Sequence, residues 1–177
     1  MLKVDANSDG EIQISEALLV KSLYYSYFCS RINSGGIRII NFQGLSSFSN
    51  LEVFSAYGQD AAILDVKNLS HLKILKYNNK TGYCPPTNYY TKFDFIGAIN
   101  LEVLGINANP MDLDLSTLIN LKEFSIISAN LTTLNLRPNT KLEILNCGSN
   151  PSLTNVNWTG LTNLKEINCS NSKISSL

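Results

Sequence analysis

Apolar residues recur along this chain at steps 0, +3 and +5, and the triplet itself returns about every 21 residues. The six stretches are Leu51-Glu-Val-Phe54-Ser-Ala56, Leu72-Lys-Ile-Leu75-Lys-Tyr77, Leu101-Glu-Val-Leu104-Gly-Ile106, Leu121-Lys-Glu-Phe124-Ser-Ile126, Leu142-Glu-Ile-Leu145-Asn-Cys147 and Leu164-Lys-Glu-Ile167-Asn-Cys169. Alternation of this kind predicts a short strand with one buried face. A second apolar pair stands eight and six residues before each later leucine: Leu64/Val66, Phe93/Phe95, Leu113/Leu115, Leu134/Leu136 and Val156/Trp158. Two apolar half-turns per unit predict a flattened coil. The leading leucines lie 21, 29, 20, 21 and 22 residues apart, so one coil carries about eight extra residues and the rest keep register.

The stretches resemble the LxxLxL unit of leucine-rich repeats. The fold expected is an α/β-poor repeat solenoid: a right-handed leucine-rich-repeat coil, mostly strand and loop, with a parallel β-sheet on one face and a short N-terminal helix cap. Residues 1–22 are assigned to the cap and residues 23–177 to the solenoid, the two packed as one domain. Ser22-Leu23-Tyr24-Tyr25 reads as a first, degenerate coil, because the end coil of a solenoid exposes an apolar cross-section that needs covering. At the other end the pattern runs on to Leu177.

Steps +2, +4 and +6 then face outward on the sheet. The first outward column reads Val53, Ile74, Val103, Glu123, Ile144, Glu166, and the apolar run Val53, Ile74, Val103 beside Tyr57 forms a candidate ligand-binding strip. The alternative is lateral stacking of β-branched residues along a parallel sheet. The long coil places its extra residues in Asn79–Tyr90, where Tyr83, Tyr89 and Tyr90 flank a Pro-Pro pair. That loop is a second contact candidate, since tyrosine offers large area at low entropy cost, or else a lid over its own coil. Asn109 and Asn150 fall where an amide can bond the turning backbone, and Asn130 stands one residue later in its repeat, as a small bulge would place it.

Ahead of the repeats, Asp5-Ala-Asn7-Ser-Asp9-Gly10-Glu11-Ile12-Gln13-Ile-Ser-Glu16 matches every position of the twelve-residue EF-hand calcium loop. Calcium takes six to eight hard oxygens. Asp5, Asn7 and Asp9 supply the first three, Gly10 allows the sharp turn, and the Glu11 carbonyl gives the next. Gln13 acts through a water and Glu16 closes the shell with both carboxylate oxygens. Only four residues precede Asp5 and the motif has no second copy, so a structural Ca2+ is expected rather than a paired-helix sensor.

Composition narrows the functions. Fourteen basic and fourteen acidic residues cancel and no Lys/Arg cluster stands out, which leaves nucleic-acid binding without a source of phosphate neutralisation. No apolar run approaches the roughly 20 residues of a membrane span, so membrane insertion is not expected. The first residues are not a signal peptide; the Asn/Ser/Thr-rich solenoid is read as part of a longer exported protein whose leader is absent. The four cysteines make no CxxC. Cys147 and Cys169 take a core position of neighbouring units, whereas Cys29 and Cys84 lie outside the pattern, where a disulfide between them stays open. Trp158 is assigned to the core. His71 is the lone histidine and stands without a nucleophilic partner, so no enzyme is expected.

Leu142-Glu-Ile-Leu-Asn-Cys147-Gly-Ser-Asn150 and Leu113-Asp-Leu115 resemble the roughly 21-residue repeats of bacterial cell-surface proteins such as the internalins, some of which carry an EF-hand-type segment just before them. The resemblance covers residues 40–177 and implies an exported module for adhesion, recognising an extracellular or cell-surface protein or glycan. Two alternatives remain: a structural spacer in a longer surface protein, and a calcium-dependent interaction switch.

Overall fold

The computed structural model of the chain describes residues 13–26, 42–58, 61–79 and 90–175. Asp5, Asn7, Asp9, Glu11, Cys29, Tyr83, Cys84 and Tyr89 lie outside them. A one-turn helix α1 (Ile14–Ala17) leads into strand β1 (Ser22–Ser26), and a 3-10 turn spans Gln43–Ser47. Strands β2 (Val53–Tyr57), β3 (Ile63–Asp65), β4 (Ile74–Asn78), β5 (Thr91–Asp94), β6 (Val103–Asn107) and β7 (Pro110–Met111) follow. The chain continues through β8 (Glu123–Ile126), β9 (Thr133–Asn135), β10 (Ile144–Asn146), β11 (Asn155–Asn157) and β12 (Glu166–Asn168).

The leucine stretches stack into one seven-stranded parallel sheet, in the order β1-β2-β4-β6-β8-β10-β12. This is the expected leucine-rich-repeat solenoid. Its register follows the repeat: Phe54 pairs Leu75, Leu75 pairs Leu104, Leu104 pairs Phe124, and Leu145 pairs Phe124 and Ile167. Because side chains alternate across a strand, steps +3 and +5 share the inward face; the leading leucine lies just before the strand and is buried with them, as Leu51, Phe54, Leu72, Leu75, Leu101, Leu121 and Leu142 show. β1 pairs β2 from Ser22↔Val53 to Ser26↔Tyr57, so the degenerate first coil is a full member of the sheet. At the far edge the burial gives out, and Ile167, at a core step, is 44% exposed.

The second half-turns form shorter ladders on the other side of the core, β3-β5-β7 and β9-β11. Each carries an Asp or Asn between its apolar pair, and each of those side chains accepts the N–H two residues on. Asp65 takes Lys67, Asp94 takes Ile96, Asp114 takes Ser116, Asn135 takes Arg137 and Asn157 takes Thr159, at 2.8–3.2 Å. These are Asx turns, which bend the chain out of the strand and satisfy a main-chain donor at once. Another column stands one residue before the leading leucines. There the amides of Asn50, Asn100, Asn120 and Asn163 donate to Leu18, Ser70, Ile99 and Thr140 carbonyls of the preceding coil. His71 fills the same column, its Nδ1 3.1 Å from the Ser49 carbonyl oxygen.

The residues just after the leading leucines alternate in sign from coil to coil: Lys21, Glu52, Lys73, Glu102, Lys122, Glu143, Lys165. Their backbones are bonded in sequence, each N–H to the carbonyl of the coil before. Glu52 holds Lys73 at 2.9 Å and Lys21 at 3.3 Å, Glu102 holds Lys122 at 2.8 Å, and Glu143 holds Lys165 at 2.6 Å. The lysine hydrogen bonds lower the pKa of all three glutamates below the usual carboxylate value. Exposed pairs of this kind contribute little to stability. Their effect is on register, since the wrong neighbour meets a like charge.

Candidate functional site

The outward face of the seven-stranded sheet is not uniform. Val53, Ile74 and Val103 pair directly across β2, β4 and β6, and each is half-buried by its lateral neighbours rather than standing as an exposed strip. Among the described residues, the large exposed apolar side chains on this face are Tyr24 and Tyr57, the latter 46% exposed.

Beside Tyr57 the second outward column runs Ser55, Lys76, Gly105, Ser125 across four paired strands. Gly105 leaves a gap there. A hollow of about 300 Å³ opens over it, with Tyr57 and Ile127 on its rim, Lys76 and Ser125 to either side, and the carboxamides of Asn78 and Asn107 beyond. The backbone does not require glycine at this place: an added Cβ would meet only the Lys76 side chain, Cγ at 3.5 Å and Cβ at 4.0 Å, both ordinary contacts. The hollow is therefore a property of the missing side chain, not of a turn.

Charge singles out the same spot. Lys21, Lys73, Lys122 and Lys165 are neutralised along the strand entries, while Lys76 stands exposed on the face with no ion-pair partner among the described residues. Among the described residues the hollow thus presents one cation without an ion pair, an aromatic ring, two amides and a hydroxyl around an empty floor. That set can hold a carboxylate side chain together with an apolar neighbour. It was legible only in part, since Tyr57 carries a sequence signal but the gap appears once Gly105 is placed between Lys76 and Ser125.

Of the loop tyrosines, the described Tyr90 is exposed on the opposite side of the coil, near Pro110 and Asn130. It does not join the Tyr57 hollow. Cys147 and Cys169 are free thiols; burial, followed by the neighbouring Cys169, pushes Cys147 up to about 12, so it stays a packing residue. Trp158 is partly buried against the core. Asn150 bonds the turning backbone as expected, whereas Asn130 takes a left-handed conformation (φ 53°) at an exposed corner.

At the N-terminal end, Gln13 is the cap residue of α1 and its N–H donates to Glu16 Oε2 at 3.1 Å. Glu16 is only 7% exposed, so the last loop position holds its carboxylate inward rather than in solvent. A carboxylate has lone pairs enough to accept that N–H and still ligate a cation, and the donor set from Asp5 to Glu16 suits a hard divalent ion. Among the described residues no helix is long and apolar enough to cross a membrane.

No protein-family model matches the chain, and no curated protein matches it. Among solved structures it is similar to an internalin (inlF) from Listeria monocytogenes str. 4b F2365, with 15% identity over 98% of this chain and 74% of that one, at a TM-score of 0.39.

Proposed function

We propose that this chain is a non-catalytic binding module that recognises an extracellular or cell-surface protein through its seven-stranded face, with the hollow at Gly105 as the anchor. The carrying observation is the coincidence of an unfilled position, the exposed Tyr57 ring and Lys76, which has no ion-pair partner among the described residues. A partner of this chemistry inserts an acidic side chain toward Lys76 and lays an apolar one on Tyr57. Aromatic and basic residues around a recess are the usual energetic centre of an interface.

Gly105→Gln fills the hollow, and Lys76→Glu reverses its charge; neither disturbs the core. Biotin-tagged natural chain and both variants are compared for capture of secreted and surface proteins, counted by quantitative mass spectrometry. At least one protein held by the natural chain is expected to fall about tenfold or more with each variant. Equal capture by all three chains removes the sheet face from the proposal.

We further propose that the loop from Asp5 to Glu16 binds one Ca2+ as a structural cap over the first coil. The complete donor pattern and the inward Glu16 support this reading. Calorimetric titration is expected to show one bound ion. At about 100 times the dissociation constant, calcium adds about 2.7 kcal/mol, which for a chain of this size raises melting by roughly 5–10 °C. The far-UV spectrum stays unchanged, and Asp5→Ala/Glu16→Ala abolishes both effects. A natural chain that takes up no calcium heat reduces the loop to a polar turn.

A further inference from the structure

The stacking of coils has one fault, on the side away from the seven-stranded sheet. β7 and β9 belong to adjacent coils that are firmly paired on the other face, from Val103↔Glu123 to Ile106↔Ile126. Yet they belong to separate ladders, and no backbone hydrogen bond joins residues 110–116 to residues 129–136 among the described residues. Asp112 (φ 54°) ends β7 after two residues, and Asn130 (φ 53°) precedes β9, which starts only at Thr133. Ser128 (φ 53°) is left-handed too, as are Ser149 and Asn171 at the same step of the next two coils, so the two residues particular to this gap are Asp112 and Asn130, of types that tolerate the conformation.

The gap is a hollow of about 370 Å³, a size at which small-molecule sites begin. Asp112, Asn130, Thr132 and Thr133 line it, Leu131 contributes to its floor, and Tyr90, 55% exposed, stands at its edge. The two strand edges that face it add main-chain donors and acceptors. No hydrogen-bond or ion-pair partner holds the Asp112 carboxylate among the described residues.

The lining excludes most ligand classes. Among the described residues it contains no lysine, arginine or histidine, so a phosphate or carboxylate would meet only Asp112 there and be repelled. One carboxylate is too little charge for a divalent cation. An apolar ligand would strand the carboxylate and the free strand edges away from water. A peptide strand cannot be threaded in, because the β6–β8 pairing keeps the coils one strand spacing apart on the far side. What fits is a compact, uncharged ligand dense in hydroxyls, able to donate to Asp112, exchange hydrogen bonds with Asn130 and the threonines, and rest an apolar ring face on Tyr90. We propose that this hollow is a binding site for a neutral sugar residue, separate from the sheet face.

The full chain is tested by saturation-transfer NMR against glucose, galactose, mannose and N-acetylglucosamine. At least one is expected to receive transfer, and its affinity to fall about tenfold in Asp112→Asn, which keeps a residue tolerant of the left-handed corner but removes the anionic acceptor. Tyr90→Ala, at an exposed position outside the core, gives an independent loss should the corner variant misfold. Gly105→Gln, on the other face, leaves sugar binding unchanged and so separates this site from the protein-binding reading. Absence of transfer to all four sugars overturns the proposal, as does transfer that survives both Asp112→Asn and Tyr90→Ala.

Discussion

Asn150→Ala is expected to lower unfolding stability by about 3–5 kcal/mol, more than any other single polar substitution in the array. Asn150 is wholly buried. Its Nδ2 donates to the carbonyls of Ile126, Cys147 and Gly148 at 2.9, 2.9 and 3.2 Å. Its Oδ1 accepts the Ala129 N–H at 2.8 Å and the Leu131 N–H at 3.5 Å. One side chain thus satisfies main-chain groups of two coils at a place no water reaches, and alanine orphans them together. Asn139 provides the internal comparison. It is equally buried, but only its Nδ2 is used, donating to Leu115 and Leu118 carbonyls at 3.1 and 2.9 Å. Asn139→Ala is therefore expected to cost about 1–3 kcal/mol. Urea unfolding of both variants decides the matter, and equal losses would mean that bridging two coils confers no special stability.

Tyr77→Ala is expected to be as damaging by a different route, at about 3–5 kcal/mol for the cavity alone. Tyr77 extends from β4 across the whole core. Its ring meets Phe93 edge-on at 5.7 Å and Phe42 at 6.5 Å, and Phe42 in turn meets Phe54 at 5.3 Å. At its tip the phenol oxygen accepts the buried Ala61 N–H at 3.1 Å, while Thr91 Oγ1 donates to the Ala61 carbonyl at 2.9 Å. Tyr77→Phe keeps the rings and removes the hydroxyl, which accepts the Ala61 N–H and also donates to the Ala61 carbonyl at 3.4 Å, so about 1–3 kcal/mol is expected, chiefly from the orphaned N–H. Thermal melting of the pair separates packing from hydrogen bonding. A phenylalanine variant as unstable as the alanine variant would place the whole effect in the Ala61 contact.

The strands were legible because apolar period and chain length agree. Every leading leucine up to Leu142 and every +3 residue up to Leu145 is buried, and Ser22–Tyr25 joins the sheet although its pattern is weak. The Asx-turn column and the alternating Glu/Lys column were also present in the letters, as Asp65, Asp94, Asp114, Asn135, Asn157 and as Glu52 through Lys165. They escape a reading that follows apolar residues alone. The outward strip is half-covered for a physical reason. Exposure on a parallel sheet depends on lateral neighbours, and Val53, Ile74 and Val103 shield one another across β2, β4 and β6. The hollow at Gly105 arises from an absent side chain between two paired strands, so it emerges only with register. The far-side gap lies between the left-handed Asp112 and Asn130, whose backbone carries no distinct signal in the composition.

The alternating charges from Lys21 to Lys165 make the natural module of this array two coils long. Removing or duplicating a single coil brings glutamate against glutamate or lysine against lysine at the splice, whereas removing or duplicating a pair restores every opposite-sign contact. The same parity governs recombination between misaligned repeats: a slip of one unit is marked by electrostatic mismatch, and a slip of two passes unmarked. An array of this kind can therefore lengthen or shorten most readily in even steps, a rule of growth carried by residues that add little to the stability of any one coil.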